Sequence, residues 1–242
     1  MKVRIFTSLL CGFTLALTAL APAALGQNRV SNDIKDEVEQ SQKASKVFNE
    51  IMGAPDSAIP QNILDGAECV AVFPDVIKAG FIIGGRGGRG VATCRVGNAW
   101  SAPVYFNIGG GSFGLQIGAE STDFVLLFMN KNGVNSLLKS KFELGGEASA
   151  AAGPVGRTAS ASTDAYLNSQ ILSYSRSKGL FAGAVLKGAV IDIDNDDMRD
   201  VYGKDFSARS ILTENKATVQ PGIRSFPDTL TRYSTRGEKA AR

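Results

Sequence analysis

The 242-residue sequence contains no histidine. Any mechanism that needs imidazole as base, proton shuttle or metal ligand is thereby excluded. Cysteine is scarce, with only Cys11, Cys69 and Cys94, and Trp100 is the single tryptophan. Charge is nearly balanced. The formal net charge of +3 falls to +1 when residues 1–26, which hold Lys2 and Arg4 and no acid, are set aside. Bulk charge therefore does not suggest nucleic-acid binding, and an electrostatic partner has to be met by a local patch. No apolar run beyond the first residues reaches spanning length without charges.

What is present begins with a leader. Met1-Lys2-Val3-Arg4 carries two positive charges, an apolar stretch runs from Ile5 to Leu20, and small residues with Pro22 follow to Gly26. This is the pattern of a secretory signal peptide over residues 1–26, with a cut after Gly26 or Ala23. Cys11 sits inside the apolar run, which argues against a lipoprotein. The expected destination is the periplasm or cell envelope, where Cys69 and Cys94 read as a disulfide. The remaining chain is long enough to bury one sizeable core, and no linker divides it. It is expected to form one domain over 27–217 with a partly disordered tail over 218–242.

Helical spacing of Ile34, Val38, Phe48 and Ile51 predicts a helix over 31–52, with a short helix over 61–67. Residues 69–73, 81–83 and 91–96 read as strands of a meander, and the run Gly84 to Gly90 between them as a hairpin connection. Strands are expected again over 99–108, 113–120 and 123–129, then a helix over 130–140. Further strands are expected over 144–152, 171–177, 180–186 and 189–193. Short helices follow over 195–202 and 207–212, with amphipathic turns from Pro227 to Tyr233. The predicted class is α+β, a single domain dominated by antiparallel sheet, with an N-terminal helix, one inserted helix and short C-terminal helices.

Three motifs invite chemical readings. Gly85-Arg86-Gly87-Gly88-Arg89-Gly90 fits the dinucleotide fingerprint, but a strand follows it where that site needs a helix N-terminus. Gly110-Gly111-Ser112-Phe113-Gly114 fits the nucleophile elbow, but no Ser-His-acid triad can be assembled without histidine. The acidic run Asp192 to Asp197 opens like a calcium loop, yet its sixth position is Asp197 rather than Gly and its twelfth Gly203 rather than Glu. A helix cap with acids in the first turn accounts for it, with weak calcium binding as the alternative. No catalytic residue, metal site or cofactor is assigned.

One charge feature remains. From Val76 to Ala119 there are four bases, Lys78, Arg86, Arg89 and Arg95, and no acid, while the stretch around Arg157, Arg176, Lys178 and Lys187 carries four bases against Asp164. Glycines beside arginines can offer backbone N–H groups and guanidinium forks to a phosphate together. Solvated arginines on an exposed hairpin fit the same pattern.

At these residues the chain resembles the SYLF domain family. The resemblance rests on Lys78-Ala79-Gly80-Phe81, Trp100-Ser101-Ala102-Pro103, Gly114-Leu115-Gln116-Ile117-Gly118, Gly153-Pro154-Val155-Gly156-Arg157 and Ser173 to Gly183, ending at Tyr202-Gly203. It covers about Ser41 to Leu212. It implies a phospholipid-binding module without enzymatic activity, with phosphoinositides as ligands of eukaryotic members and actin as a partner of fungal ones. The expected function is binding of anionic phospholipid head groups by Lys78, Arg86, Arg89, Arg95, Arg157, Arg176 and Lys178. The alternative is an assembly module that binds an envelope protein partner, and a hydrolase using Ser112 is a distant third. With a leader and no appended SH3 or FYVE-type module, actin is not expected as a partner. The first helix is acid-rich, with Asp33, Asp36, Glu37, Glu39 and Glu50 against Lys35, Lys43 and Lys46, so its insertion into an anionic membrane is not expected. Trp100, Gly153 to Arg157 and Ser173 to Gly183 are expected to serve the fold more than the ligand.

Overall fold

The computed structural model describes residues 34–54, 58–156, 166 and 168–233; the leader over 1–26, Arg157 and the residues after 233 lie outside these. Helix α1 (Lys35–Met52) forms where the apolar spacing predicts it, burying Ala44, Val47, Phe48 and Ile51 on one face, with Asp36 and Glu37 in its first turn. Its last turn closes through the Gly53 N–H on the Asn49 carbonyl at 2.9 Å. Helix α2 (Gln61–Gly66) follows.

The sheet departs from the predicted meander. Strand β1 (Cys69–Val96) runs unbroken for 28 residues and β3 (Val104–Phe128) for 25, with the two-residue β2 (Ala99–Trp100) between them. They pair antiparallel from Cys69 opposite Phe128 to Ala92 opposite Val104. The run Gly84 to Gly90, expected as a hairpin connection, is strand, with Gly84 opposite Ser112 and Gly90 opposite Phe106. The reason is close approach rather than turning. The ribbon folds over on itself, so that the first half of β1 packs against the second. A Cβ at Gly90 would lie 2.3 Å from the Phe73 ring, one at Gly88 2.9 Å from Val76 Cγ2, and one at Gly84 2.5 Å from the Ala79 carbonyl oxygen. Side chains at these positions would hold the layers apart.

After β3 come α3 (Lys131–Leu137), β4 (Lys141–Glu143), β5 (Ala150–Ala152), β6 (Ile171–Ser177), β7 (Leu180–Gly183) and β8 (Val190–Ile193). Helices α4 (Asn195–Tyr202) and α5 (Ala208–Leu212), a 3-10 turn (Pro221–Ile223) and α6 (Ser225–Tyr233) complete the described chain. The expected strand over 144–152 is reduced to β5 and one bridge between Leu144 and Ala148. The sheet order is β2-β1-β3-β6-β5, with β7 on β6 and β8 spanning β3 and β4. Only β5 beside β6 is parallel among the named strand pairs. The protein is thus a single α+β domain dominated by antiparallel sheet.

Because the ribbon curls, the two ends of β1 meet. Arg95 N–H donates to the Glu68 carbonyl and Glu68 N–H to the Phe128 carbonyl, both at 2.8 Å. Cys69 and Cys94 lie side by side there, Cα atoms 3.9 Å apart, with their sulfur atoms bonded. Alternation along the strands sends Phe73, Val76, Ala92, Phe106, Phe124 and Phe128 into an inner core closed by Met198 and Leu212. It sends Val70, Val72, Tyr105 and Leu127 to an outer core under α1 and α6. Helix α6 is seated on α1 by Phe226 against Phe48, ring centroids 6.3 Å apart, and by Ser45 and Thr229 hydroxyls 2.6 Å apart. Each fully buried Phe or Leu in these cores contributes about 1.5–3 kcal/mol.

Candidate functional site

The predicted basic residues divide into two groups. Three are held by the protein itself. Arg89 pairs with Asp197 and lies 3.9 Å from Asp194. Arg176 pairs with Glu50 and, at 3.2 Å, with Asp123, and its guanidinium stands 5.4 Å from the Phe181 ring centroid. Arg95 donates to the carbonyls of Ala67 at 2.9 Å and Leu64 at 3.3 Å and stacks 4.3 Å over Trp100. That contact gives the buried Trp100 a role in the fold.

The other described members, Lys78, Arg86 and Lys178, make no ion pair among the described residues. Arg86 is on the face of β1 that carries Gly84, Gly88 and Gly90, opposite Gly110. Its Nε is buried without a hydrogen-bond partner, and burial pulls its guanidinium below the usual value. Contacts of Gly88 with Val76 and of Gly84 with Ala79 and Gly80 put Arg86 level with Lys78 across the fold-over. Lys78 faces Glu120 in the β1–β3 register, and Glu120 accepts a hydrogen bond from the Ser177 hydroxyl.

Ser177 leads into the β6–β7 turn. Lys178 and Gly179 both have positive φ, 51° and 81°, as a two-residue type I′ hairpin requires. The turn projects Lys178 and Leu180, the latter 78% exposed, and Ile77 on β1 is 47% exposed. Ser121, next to Glu120, is the register partner of Ile77. The folded end therefore joins Lys78, Arg86 and Lys178, glycine-lined backbone and two exposed aliphatic side chains. Sequence reasoning missed Ile77 and Leu180, because exposure of an aliphatic residue depends on which neighbours the fold supplies.

The acidic run is a cap: Asp194 accepts from the backbone N–H groups of Asp196 and Asp197 and starts α4. Asp197 reaches back to Arg89 and lies in a cluster with Glu37, which is only 3% exposed. Glu37 Oε2 has no hydrogen-bond partner, and burial, with Asp197 and Asp200 nearby, raises its carboxyl pKa above the ordinary 4.5. Burial also raises Asp197, against the opposing pull of Arg89. A raised acid favours the folded state when protonated, so its penalty is full above the folded value and fades as pH falls toward the unfolded one. Glu37→Gln is expected to raise the melting temperature at pH 7 and to do so less at pH 5. Melts at the two pH values check this, and an unchanged midpoint at pH 7 would refute it.

Among the described residues there is no group of acids and cysteines placed to hold a metal ion, and no helix long and apolar enough to cross a membrane. Ser112 has its backbone within β3, paired with Gly84, which is not the strand-to-helix turn of a nucleophile elbow.

Residues 109–233 match the family described as "Ysc84: Las17-binding protein actin regulator". The chain is 35% identical over 193 residues to Protein YSC84 of Saccharomyces cerevisiae, covering 77% of this chain and 41% of that protein. It is 35% identical over 193 residues to LAS seventeen-binding protein 3 of the same species, with 77% and 42% covered. It is 32% identical over 189 residues to SH3 domain-containing YSC84-like protein 1 of Homo sapiens, with 76% and 55% covered. The chain thus spans about half or less of these relatives. The expectation that sets actin aside as a partner is corrected by these findings, since the matching family is described as an actin regulator and its relatives are named for Las17 binding and SH3 domains. With this match over half of the chain and these relatives alongside it, the chain belongs to the Ysc84 family, the family of the SYLF domain.

Proposed function

We propose that this protein binds the anionic head groups of a phospholipid surface without catalysing a reaction, and that the folded end of the β1–β3 ribbon is the contact. The observation that carries this reading is Arg86. It is a guanidinium with a buried, unpartnered Nε beside glycine backbone, level with Lys78. Leaving such a group unpaired is costly, and a phosphate oxygen would satisfy it. Lys178, Leu180 and Ile77 add a cation and apolar contact on the same end. Export to the cell envelope is part of the proposal, supported by the leader pattern of residues 1–26 and the Cys69–Cys94 pair.

Each cation near an anionic surface contributes about 1 kcal/mol, screened beyond roughly 8 Å at physiological salt. Replacing Arg86 and Lys178 together by Glu is expected to weaken binding to phosphatidylcholine vesicles containing anionic lipid by at least about thirtyfold. Wild-type binding is expected to fall with added salt. Co-sedimentation at two salt concentrations, with circular dichroism to confirm folding, reads both. Equal curves for the two proteins would overturn the assignment.

A second reading is favoured by the description of the family as Las17-binding and actin-regulating: a protein partner docks on the same end. Vesicle binding that ignores anionic lipid content in the wild type would favour it.

A further inference from the structure

The two ends of β1 meet away from the folded end. A cavity of about 300 Å³ opens between that junction, α3 and α5, bounded by the Cys69–Cys94 pair, by Val134 of α3 and by Leu138 just after it. Its size is at the small end of ligand pockets. Lys131 at the start of α3 and Arg209 in α5 also line it. Both are exposed, and neither has a carboxylate partner among the described residues. Arg95 and Glu68 also line it, but the Arg95 guanidinium is turned to Trp100 and to the Ala67 and Leu64 carbonyls, which leaves Lys131 and Arg209 as the cations at the cavity. Lys131 and Arg209 come from two separate elements of the chain and meet at a cavity that Val134, Leu138 and the sulfur pair also line.

We propose that this cavity binds a small monocarboxylate with a short aliphatic body, its carboxylate held by Lys131 and Arg209 and its chain packed against Val134, Leu138 and the sulfur pair. The two halves of the lining select for both properties at once. A bare inorganic anion would leave the aliphatic walls facing water, and a neutral hydrocarbon would leave the two cations without a counter-charge. Arg95 is held by its hydrogen bonds to the Ala67 and Leu64 carbonyls and is not needed for the carboxylate. The inference does not rest on the membrane reading.

The test is calorimetric titration of the purified protein, under non-reducing conditions, with octanoate, octanol and inorganic phosphate. Octanoate, with about ten heavy atoms, is expected to bind with a dissociation constant on the order of a millimolar or below. Octanol and phosphate are each expected to bind at least about tenfold more weakly. Lys131→Ala with Arg209→Ala is expected to cost octanoate about tenfold or more and to leave octanol unchanged. Asn135→Trp, at an exposed lining position of α3, fills the cavity and is expected to abolish octanoate binding, with circular dichroism reporting an intact fold. No octanoate binding at millimolar concentration, phosphate binding equal to octanoate, or full octanoate affinity in either variant would overturn the proposal. Vesicle co-sedimentation of the Asn135→Trp protein is expected to match the wild type, which keeps failure here distinct from failure of the membrane reading.

Discussion

Gly183→Val is expected to leave little folded protein, and even Gly183→Ala to lower the melting temperature by roughly 6–12 °C. A Cβ at Gly183 would sit 2.1 Å from the Gly153 carbonyl oxygen, and one at Gly153 would sit 2.1 Å from Cζ of Tyr174. Tyr174 is fully buried and pairs with Gly183 across β6 and β7. The three residues therefore stack with no free space between them. The backbone has little freedom to yield, because the N–H groups of Gly153 and Ala184 both donate to the Ser173 carbonyl at 2.9 Å. Overpacking at such a site costs about 3 kcal/mol or more, and in a domain of this size each kcal/mol moves the midpoint by roughly 2–4 °C. Thermal melts followed by circular dichroism measure it. An alanine variant melting within about 2 °C of wild type would mean that the layers part more easily than this packing implies.

Arg176→Met is expected to destabilise the fold by about 3 kcal/mol, whereas Lys178→Met, two residues on, should change stability by no more than about 0.5 kcal/mol. Arg176 ties α1 to the sheet through Glu50 and holds Asp123, which is 9% exposed. Asp123 in turn accepts from the backbone N–H of Asp75 at 2.9 Å. Removing the cation leaves a buried carboxylate without its counter-charge, the costly half of a buried pair. Partial solvent access at Glu50 places the expected loss at the lower end of the usual range. Denaturant titrations of the two variants, with Asp123→Asn to close a double-mutant cycle, measure the coupling. A neutral Arg176→Met would return this arginine to the group available for a ligand.

Local signals in the sequence were legible. The spacing of Ile34, Val38, Phe48 and Ile51 marked α1, the acidic run marked the cap of α4, and Lys178-Gly179 marked a turn. The α+β class followed from the order of these elements. The glycine run was misread because glycine serves turning and close packing alike, and only the partner across the gap distinguishes them. Phe73 and Val76 are those partners, and nothing between them and Gly88 or Gly90 announces the fold-over.

The candidate site was legible as a charge surplus but not as a set of contacts. Arg89 and Asp197 are separated by 108 positions, and Arg176 and Glu50 by 126, so their pairing is a property of topology. Arg86 and Lys178, by contrast, meet no carboxylate among the described residues. Lys131 and Arg209 showed no signal at all, since each is an ordinary surface base until α3 and α5 are placed beside the ends of β1.

Strand β1 carries a one-residue frame correction. Between Phe73 opposite Phe124 and Val76 opposite Thr122, β1 advances three residues while β3 advances two, and Asp75 takes up the excess at φ 52°. Before this bulge the odd residues Cys69, Ala71 and Phe73 enter the inner core; after it the even residues Ala92 and Cys94 do. Removing the extra residue would turn the rest of the strand over, moving Val91 inward and carrying Cys94 away from Cys69. Both cores read their side chains from this one strand, so its length is under tighter constraint than its composition. Exchange of one aliphatic residue for another along β1 is expected to be tolerated, whereas a one-residue insertion or deletion there is expected to need a second one that restores the frame.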